Sequence, residues 1–352
     1  MNLAELRGEI DRVDSEILKL LSRRMEMALR TGKFKVDPAD PPRERAVIEG
    51  IRNQSRGLLR PDFTEGIFHS VVGEARKLQE EALSLVGFQG EHGAHSEVAI
   101  RSLDPSWIPI PCAEFAEVFE GVERGELGFG VVPVENSLEG AVTAVNDLLV
   151  EDELKIVGEV RVPIHHALLA LPGTDIRELR AAYSHPQALA QCRGFLSRNK
   201  LEPRPFYDTA GAAMMLAHER LKGAAAIASK LCVEIYGLEV VKEAIEDHES
   251  NSTRFIVLSR ERSQNEGNKC SVVFSTGHRA GALFDVLKIF SEAGINLTRI
   301  ESRPIRKDPG QYAFLVDFLG SGRDPKVGKA LGRVEKQTLT FKFIGCYKEA
   351  GS

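Results

Sequence analysis

The sequence predicts a multidomain protein with an all-α helical domain, then a two-lobed α/β domain, then an α+β domain of ferredoxin-like order. Up to residue 82, apolar residues recur every three or four positions, which is typical of helices. From Leu83, short apolar runs alternate with helical patterns, which indicates an α/β fold. Beyond a polar linker at 263–269, the order is strand, helix, strand, strand, helix, strand. The predicted domains are therefore 1–82, 83–262 and 269–350.

Composition argues against several functional classes. The chain has 352 residues and a net charge of −5, which does not favour binding to nucleic acid or to an anionic membrane. An anionic substrate would therefore need a local cluster of basic groups. The five cysteines have no Cys-x-x-Cys spacing, which predicts reduced thiols in a cytoplasmic protein. The N-terminus is charged from Glu5 onward and no apolar run reaches membrane-spanning length, so we expect neither a signal peptide nor a transmembrane helix.

The first helix carries a long apolar seam. Its members follow the spacing of a coiled coil: Leu3, Leu6, Ile10, Val13, Ile17 and Leu20. A helix from about residue 3 to 35 would be roughly 50 Å long, too long for its own domain to cover. We therefore predict that a partner chain covers it in a homodimer or a larger homo-oligomer. The proline-rich stretch 37–42 ends this helix, a second runs from Arg43 to about Arg56, and a third begins near Pro61.

Three polar motifs lie at the ends of predicted strands in the α/β domain. The first follows the run 129–134, the second follows the run 179–183 and opens a helix at Pro186, and the third leads into the run 255–258. In open α/β sheets, ligands bind at the carboxyl ends of strands, and a helix N-terminus suits a carboxylate. If the second motif is considered alone, the alternative to a ligand site is an ordinary βα turn with polar residues. The candidate residues of the three motifs are Glu135, Asn136, Ser184, Gln187, Gln191, Thr253 and Arg254.

The motifs Pro-x-Glu-Asn, Ser-His-Pro-Gln and Thr-Arg-Phe, in this order, resemble prephenate dehydratase over about 84–262. The resemblance implies lobes like those of periplasmic binding proteins, with Thr253 most tied to catalysis as a donor to the leaving hydroxyl. It also implies that Arg254 clamps a carboxylate, if its side chain faces the cleft, and that Glu135 relays a proton, if burial raises its pKa. One departure is Ala94, where many members carry Ser or Thr. The rest of the implied pocket is Asn136, Ser184, Gln187 and Gln191.

Charged and amide side chains on the predicted helices resemble the pocket of the all-helical chorismate mutases that precede prephenate dehydratases. The resemblance implies an intertwined dimer in which Arg24 and the partner's Arg7 hold two carboxylates. It implies that Lys35 and Gln79 contact the ether oxygen and that Glu44 binds the substrate hydroxyl. A Claisen rearrangement needs such fixed charges rather than an acid or a base. For each residue alone, a solvated helix face is the alternative. Further matching positions are Asp40 and Arg43, and the departure is Ala75, where some members carry Ser.

The C-terminal domain resembles an ACT domain, a small amino-acid sensor. The matching stretches are Gly281-Ala282-Leu283 and Glu301-Ser302-Arg303-Pro304. The resemblance implies that L-phenylalanine binds between two such domains and biases the dehydratase between two states. A ferredoxin-like fold that only dimerises is the alternative. The expected contact residues are Gly281, Ala282, Leu283, Asn296, Glu301, Ser302, Arg303 and Pro304.

Together the resemblances imply a bifunctional enzyme of phenylalanine biosynthesis. It would convert chorismate to prephenate, then prephenate to phenylpyruvate, under feedback inhibition by phenylalanine. We expect no cofactor and no metal, because the pairs His92/His95 and His165/His166 have no third ligand at a suitable spacing. Two alternatives stay open. One is a dehydratase whose helical domain only dimerises, and the other is a non-catalytic two-lobed binding protein with an amino-acid sensor domain.

Overall fold

The computed structural model describes residues 2–248, 250–263, 266–305 and 310–351. Two residues of the predicted linker, Gln264 and Asn265, lie outside the described residues. The three predicted domains are present in order, and their fold classes are all-α, two-lobed α/β and ferredoxin-like α+β, as the sequence predicts. Among the described residues, no helix combines the length and apolar character that a membrane span requires.

The helical domain consists of α1 (Leu3–Gly32), α2 (Pro41–Gln54) and α3 (Pro61–Glu80). A capping box between Asn2 and Glu5 starts α1, and Asp40 caps α2 by accepting a hydrogen bond from the Arg43 backbone N–H. The predicted seam of α1 is exposed in the single chain. The exposed fractions of its members lie between 43% and 63%: Leu3, Leu6, Ile10, Val13, Ile17 and Leu20. This apolar surface is what the predicted partner chain would cover.

The first lobe follows the helical domain. Its elements are β1 (Leu85–Gln89), α4 (His95–Leu103), β2 (Ile108–Cys112), α5 (Phe115–Glu123), β3 (Phe129–Asn136), β4 (Gly140–Ala141), α6 (Thr143–Glu151) and β5 (Lys155–Pro163). The chain then crosses to the second lobe. Its elements are β6 (Ala167–Ala170), β7 (Ala181–Ser184), α7 (Pro186–Gln191), α8 (Arg193–Arg198), β8 (Glu202–Pro205), α9 (Thr209–Glu219), β9 (Ala224–Ala228), α10 (Leu231–Tyr236) and β10 (Glu239–Lys242).

Strand β11 (Ser252–Ser259) returns to the first lobe and lies between β3 and β5, antiparallel to both. The described strands of the first lobe have the order β2-β1-β3-β11-β5, with β4 beside β3. Those of the second lobe have the order β10-β6-β9-β7-β8. Because the chain crosses between the lobes twice, the ends of β3, β7 and the start of β11 meet where the lobes face each other.

The ACT-like domain has the expected order of elements. They are β12 (Lys269–Ser275), α11 (Ala282–Glu292), β13 (Leu297–Pro304), β14 (Tyr312–Leu319), α12 (Pro325–Gln337) and β15 (Thr340–Tyr347). Its antiparallel sheet has the order β13-β14-β12-β15 in the described residues. The two helices cover one face of this sheet. The other face shares an apolar core with the first lobe, where Leu315 and Ile344 join the cluster that contains Ile156.

Candidate active sites

A cavity of about 490 Å³ lies between the two lobes. This volume suits a small-molecule substrate. Four of the predicted residues line it: Asn136, Gln187, Gln191 and Thr253. Ten polar residues that were not in the predicted set also line it: Gln89, His95, Ser96, Glu139, His166, His185, Tyr207, Asp208, Thr209 and Asn251. The motifs that lie far apart in sequence therefore meet in one cleft.

Asn136 fixes the orientation of the Thr253 hydroxyl. The Asn136 Oδ1 accepts hydrogen bonds from the backbone N–H groups of Leu138 at 3.0 Å and Glu139 at 3.2 Å. Its Nδ2 must therefore donate, and it does so to Thr253 Oγ1 at 2.9 Å and to Asn251 Oδ1 at 2.8 Å. Because Thr253 Oγ1 accepts this bond, its own proton remains available to a ligand in the cleft.

A closed set of hydrogen bonds joins the lobes. Asn251 Nδ2 donates to Gln191 Oε1 at 3.2 Å, and Gln191 Nε2 donates to Glu139 Oε1 at 2.8 Å. With the bonds of Asn136 to Asn251 and of the Glu139 N–H to Asn136, these residues form the hydrogen-bonded ring of Asn136, Asn251, Gln191 and Glu139. Gln191 belongs to α7 of the second lobe, whereas the others belong to β3, β11 and their adjoining segments. The ring therefore holds the facing sides of the two lobes in one arrangement relative to each other.

Two stacked histidines stand beside this ring. The His166 Nε2 lies 2.8 Å from Gln191 Oε1, and since that oxygen only accepts, Nε2 carries the proton. The His95 and His166 rings stack with centroids 5.5 Å apart. Burial, followed by repulsion from His166 and His165, lowers the pKa of His95 to about 3, so His95 is uncharged at neutral pH. His166 Nδ1 and His95 Nε2 are buried and have no hydrogen-bond partner in the part of the chain that the structure describes.

The described lining of the cleft contains carboxylates but no fixed cation. Among the described residues that line it, none is Lys or Arg. Its polar lining consists of amides, hydroxyls, imidazoles and two carboxylates, those of Glu139 and Asp208. The expectation that basic groups capture every anionic substrate is therefore wrong for this cleft.

The helical domain contains a second cluster of candidate residues. Lys35 Nζ lies 3.4 Å from Gln79 Oε1, and Gln79 Nε2 donates to the carbonyl oxygen of Ala28 on α1. Gly32 permits this approach, because a Cβ at residue 32 would lie 2.8 Å from the Gln79 Cγ. Arg24 lies one turn before Ala28, and its Nη1 is buried without a hydrogen-bond partner among the described residues. A buried, unpaired guanidinium nitrogen suits an anionic ligand.

Comparison with known proteins identifies the family of the chain. Family models match residues 6–80 as chorismate mutase type II, 86–263 as prephenate dehydratase and 271–336 as an ACT domain. The bifunctional chorismate mutase/prephenate dehydratase of Aquifex aeolicus is 34% identical over 99% of this chain and 98% of its own length. The chain belongs to this bifunctional family. It is an enzyme of phenylalanine biosynthesis, with a chorismate mutase domain, a prephenate dehydratase domain and an ACT domain.

Two further matches are informative. Arogenate dehydratase/prephenate dehydratase 2 of Arabidopsis thaliana, a chloroplastic protein, is 42% identical over 74% of this chain and 72% of its own length. The crystal structure of prephenate dehydratase from Arthrobacter aurescens in complex with L-Phe has a TM-score of 0.70 and 33% identity, covering 76% of this chain and 90% of that one. Both matches leave about a quarter of this chain uncovered.

Two predicted residues of the dehydratase face away from its cleft. Thr253 pairs with Asn136 across the strands, and Arg254 pairs with Glu135. Because successive side chains of a strand point to opposite faces, Arg254 and Glu135 lie behind the cleft. Arg254 is 2% exposed and donates to Glu135 at 2.9 Å and to Glu159 at 2.8 Å. The predictions that Arg254 clamps a substrate carboxylate and that Glu135 relays a proton are therefore wrong.

Ser184 also turns away from the dehydratase cleft. Its side chain is fully buried, and its hydroxyl donates to the carbonyl oxygen of Ile227 at 2.6 Å. This bond ties β7 to β9 within the second lobe, so the prediction of a catalytic role for Ser184 is wrong. Gln187 is exposed at the start of α7 and lines the cleft, as expected.

The first turn of the dehydratase domain contacts the mutase domain. His92 lies 3.0 Å from Glu26 of α1 and 3.1 Å from Glu97 of α4. Burial opposes protonation of His92, but hydrogen bonds to these two carboxylates raise its pKa to about 9. The turn therefore carries a charged imidazole that joins two domains.

The other mutase candidates are more scattered. Arg7 and Arg43 are exposed, and the Glu44 carboxylate lies 4.0 Å from Arg76 Nη1. Seventeen residues separate Arg7 from Arg24, about 25 Å along α1, so the two cannot serve one pocket within a single chain. Asp40 has its side chain engaged as the cap of α2, which gives it a structural role here.

The predicted phenylalanine-binding residues of the ACT domain do not share one face. Gly281, Ala282 and Leu283 stand at the start of α11, and Asn296 precedes β13 on the surface. On β13, Arg303 Nε donates to Asp147 of α6 at 2.5 Å, and Glu301 lines a cavity of about 350 Å³ against the first lobe. Ser302 and Pro304 alternate with them and are exposed. Within the single chain, β13 therefore turns Glu301 and Arg303 to one side and Ser302 and Pro304 to the other, and the phenylalanine site between two such domains stays a prediction.

Proposed function

We propose that Thr253 and the hydrogen-bonded ring carry the dehydratase reaction, and that Arg24, Lys35 and Gln79 carry the mutase reaction. The bond from Asn136 Nδ2 to Thr253 Oγ1 is the observation that carries the first assignment. It leaves the Thr253 proton directed to whatever the cleft binds. In prephenate the ring hydroxyl leaves, and a hydroxyl donor at that atom stabilises the developing negative charge.

Loss of carbon dioxide explains why the described lining of the cleft contains neither Lys nor Arg. Prephenate as a dianion, with one proton, yields phenylpyruvate, carbon dioxide and water. The ring carboxylate becomes neutral carbon dioxide as its electron pair enters the ring and the hydroxyl leaves. A fixed cation on that carboxylate would stabilise the ground state more than the transition state, and so slow the reaction. Amides and uncharged imidazoles bind the carboxylate without this penalty.

The mutase reaction has the opposite requirement. In the Claisen rearrangement, negative charge grows on the ether oxygen while the bond between carbon and oxygen breaks. Lys35 Nζ lies 3.4 Å from Gln79 Oε1 and supplies a cation for that oxygen. Gln79 Nε2 uses one N–H on the Ala28 carbonyl and has a second N–H to donate to the ligand. Arg24 holds one carboxylate. The partner's Arg7 completes the pocket in a homodimer through α1, because the exposed seam needs a second copy to cover it.

Regulation and location complete the proposal. L-phenylalanine bound at the ACT domain, at an interface between two such domains, inhibits the dehydratase. The enzyme acts in the cytoplasm as a homodimer or a larger homo-oligomer. We also propose the domain boundaries 1–82, 83–262 and 269–350. The matches of the family models to 6–80, 86–263 and 271–336 support these boundaries.

Arogenate is a second candidate substrate for the cleft. It differs from prephenate in having an amino-acid side chain, whose ammonium group needs a carboxylate partner. The cleft contains the carboxylates of Glu139 and Asp208 and, among its described lining residues, no cation to repel an ammonium group. Burial raises the pKa of Asp208, and an ammonium group beside it would favour its charged form. A comparison of kcat/KM for the two acids decides between them.

Replacement of the Thr253 hydroxyl tests the dehydratase assignment. We expect T253V to lower kcat for phenylpyruvate formation by about 100-fold or more, because the donor to the leaving group is lost. T253S keeps the hydroxyl and should retain much of the rate. The mutase activity of the same preparation reports that the chain is intact. Equal dehydratase rates in T253V and the unmodified enzyme would disprove the assignment.

A further inference from the structure

A group of charges, four of them buried and two half-buried, joins the dehydratase strands to the ACT sheet. The charge cluster consists of Arg254, Glu135, Glu159, Lys269, Arg299 and Asp317. Arg254 Nη2 donates to Asp317 of β14 at 2.6 Å, in addition to its bonds to Glu135 and Glu159. Lys269 of β12 donates to Glu159 at 3.0 Å. Half of the cluster therefore comes from the first lobe and half from the ACT domain.

The charge cluster is balanced and tightly held. It contains three cations and three anions, and Arg299 of β13 completes it at 3.5 Å from Glu135 and 3.8 Å from Asp317. Ser271 donates a further hydrogen bond to Asp317 at 2.6 Å. Breaking a buried pair by removing one partner leaves an uncompensated charge. The neighbouring groups would then move until the charge is paired or reaches water.

The charge cluster lies directly behind two cleft residues, Thr253 and Asn136, and holds their strand neighbours in place. Arg254 follows Thr253 on β11, and Glu135 precedes Asn136 on β3. The pairs Thr253–Asn136 and Arg254–Glu135 are adjacent rungs of the same antiparallel ladder. A shift of Arg254 or Glu135 is therefore transmitted through one peptide unit to the hydroxyl and the amide that face the substrate. The ladder is irregular between Arg254 and Phe255, so the backbone here is less constrained by regular strand pairing.

We infer that Asp317 and Arg299 of the ACT domain are positioning residues for the dehydratase reaction. They hold Arg254 and Glu135, which in turn set the place of Thr253 and Asn136. The ACT domain thereby supplies part of the framework of the cleft, in addition to binding an effector. Arg299 also lies on the strand that carries Glu301 and Arg303, so a movement of β13 reaches the charge cluster directly. The inference rests on the proposed role of Thr253.

The substitution D317N tests the inference, because it removes a charge from the cluster with little change in shape. We expect the dehydratase kcat to fall about 10- to 100-fold while KM for prephenate stays within about threefold, as for a misplaced catalytic group. D317E restores the charge and should recover part of kcat. The matched control is D324N, which alters an aspartate that caps α12 and lies outside the cluster. Mutase activity should be unchanged in every variant.

Three results would overturn the inference. One is a kcat for D317N equal to that of D324N. The second is a loss confined to KM, which would indicate an effect on binding. The third is a fall in kcat that matches a fall in the folded fraction, measured by near-ultraviolet circular dichroism at the assay temperature. If T253V is inactive and D317N is fully active, the role of Thr253 survives and only the positioning role fails.

Discussion

The two active sites handle the same kind of molecule, a ring acid with two carboxylates, in opposite electrostatic surroundings. The mutase cluster presents Arg24 and Lys35, whereas the lining of the dehydratase cleft, as described, contains neither Lys nor Arg. The difference follows from the reactions. A fixed cation helps when charge grows on an ether oxygen, and it hinders when a carboxylate must lose its charge as carbon dioxide. The substrate's charge alone does not predict the charge of its site.

The substitution K35A tests the mutase side of this comparison and should have the largest effect. We expect the mutase kcat to fall about 1,000-fold, because one preorganised donor to a developing charge is lost. The dehydratase rate should stay unchanged. Consumption of chorismate and formation of phenylpyruvate from added prephenate measure the two activities separately.

The matched control is K33A, which removes a lysine whose Nζ bonds the carbonyl oxygen of Leu83 at 2.7 Å. Similar mutase rates in K35A and K33A would contradict the proposed role of Lys35.

The pH dependence of the contact between His92 and Glu26 of α1 tests whether the mutase and dehydratase domains stabilise each other. Its pKa is raised from the ordinary 6.5 to about 9, so the stabilisation is fully present below pH 6.5 and is lost as pH rises through 9. We expect the free energy of unfolding to fall by about 2–3 kcal/mol between pH 6.5 and pH 9.5, and to fall less in H92Q. Urea titrations at the two pH values measure it. H69Q, at an exposed histidine beside Glu65, is the control and should retain the full pH dependence.

A lysine introduced into the cleft tests our explanation of why its described lining contains no cation. Gln187 is exposed at the cleft wall, so a lysine there fits without repacking the core. We expect Q187K to lower both KM for prephenate and kcat, each by about 10-fold, because ground-state binding improves at the expense of the transition state. Q187M is the uncharged control. A rise in kcat for Q187K would contradict our explanation of the cation-free cleft.

Motifs and periodicity predict much of this molecule because they are local. The three-four spacing of α1, the proline at the start of α7 and the strand-end polar motifs are all found where the sequence places them. The strand alternation that sends Arg254 behind the cleft was also available, since neighbours in a strand face opposite sides. The predicted clamp by Arg254 depended on its side chain facing the cleft, and this condition is not met.

Other features depend on contacts between distant segments. Asn251 directly precedes β11, but its place in the hydrogen-bonded ring depends on Gln191 of the other lobe. The stack of His95 on His166 joins the start of α4 to the segment between β5 and β6. The charge cluster draws on six strands from two domains. No local sequence pattern predicts such groupings, because each member alone resembles an ordinary charged or polar residue.

The dependence of both KM values on ionic strength, in one preparation of the whole enzyme, tests the contrast between the sites most directly. Salt screens attraction between a dianion and fixed cations, so KM for chorismate should rise severalfold between about 20 mM and 500 mM potassium chloride. KM for prephenate should change by less than about twofold over the same range, because its cleft offers no cation to screen. An equal rise in both values would contradict the account.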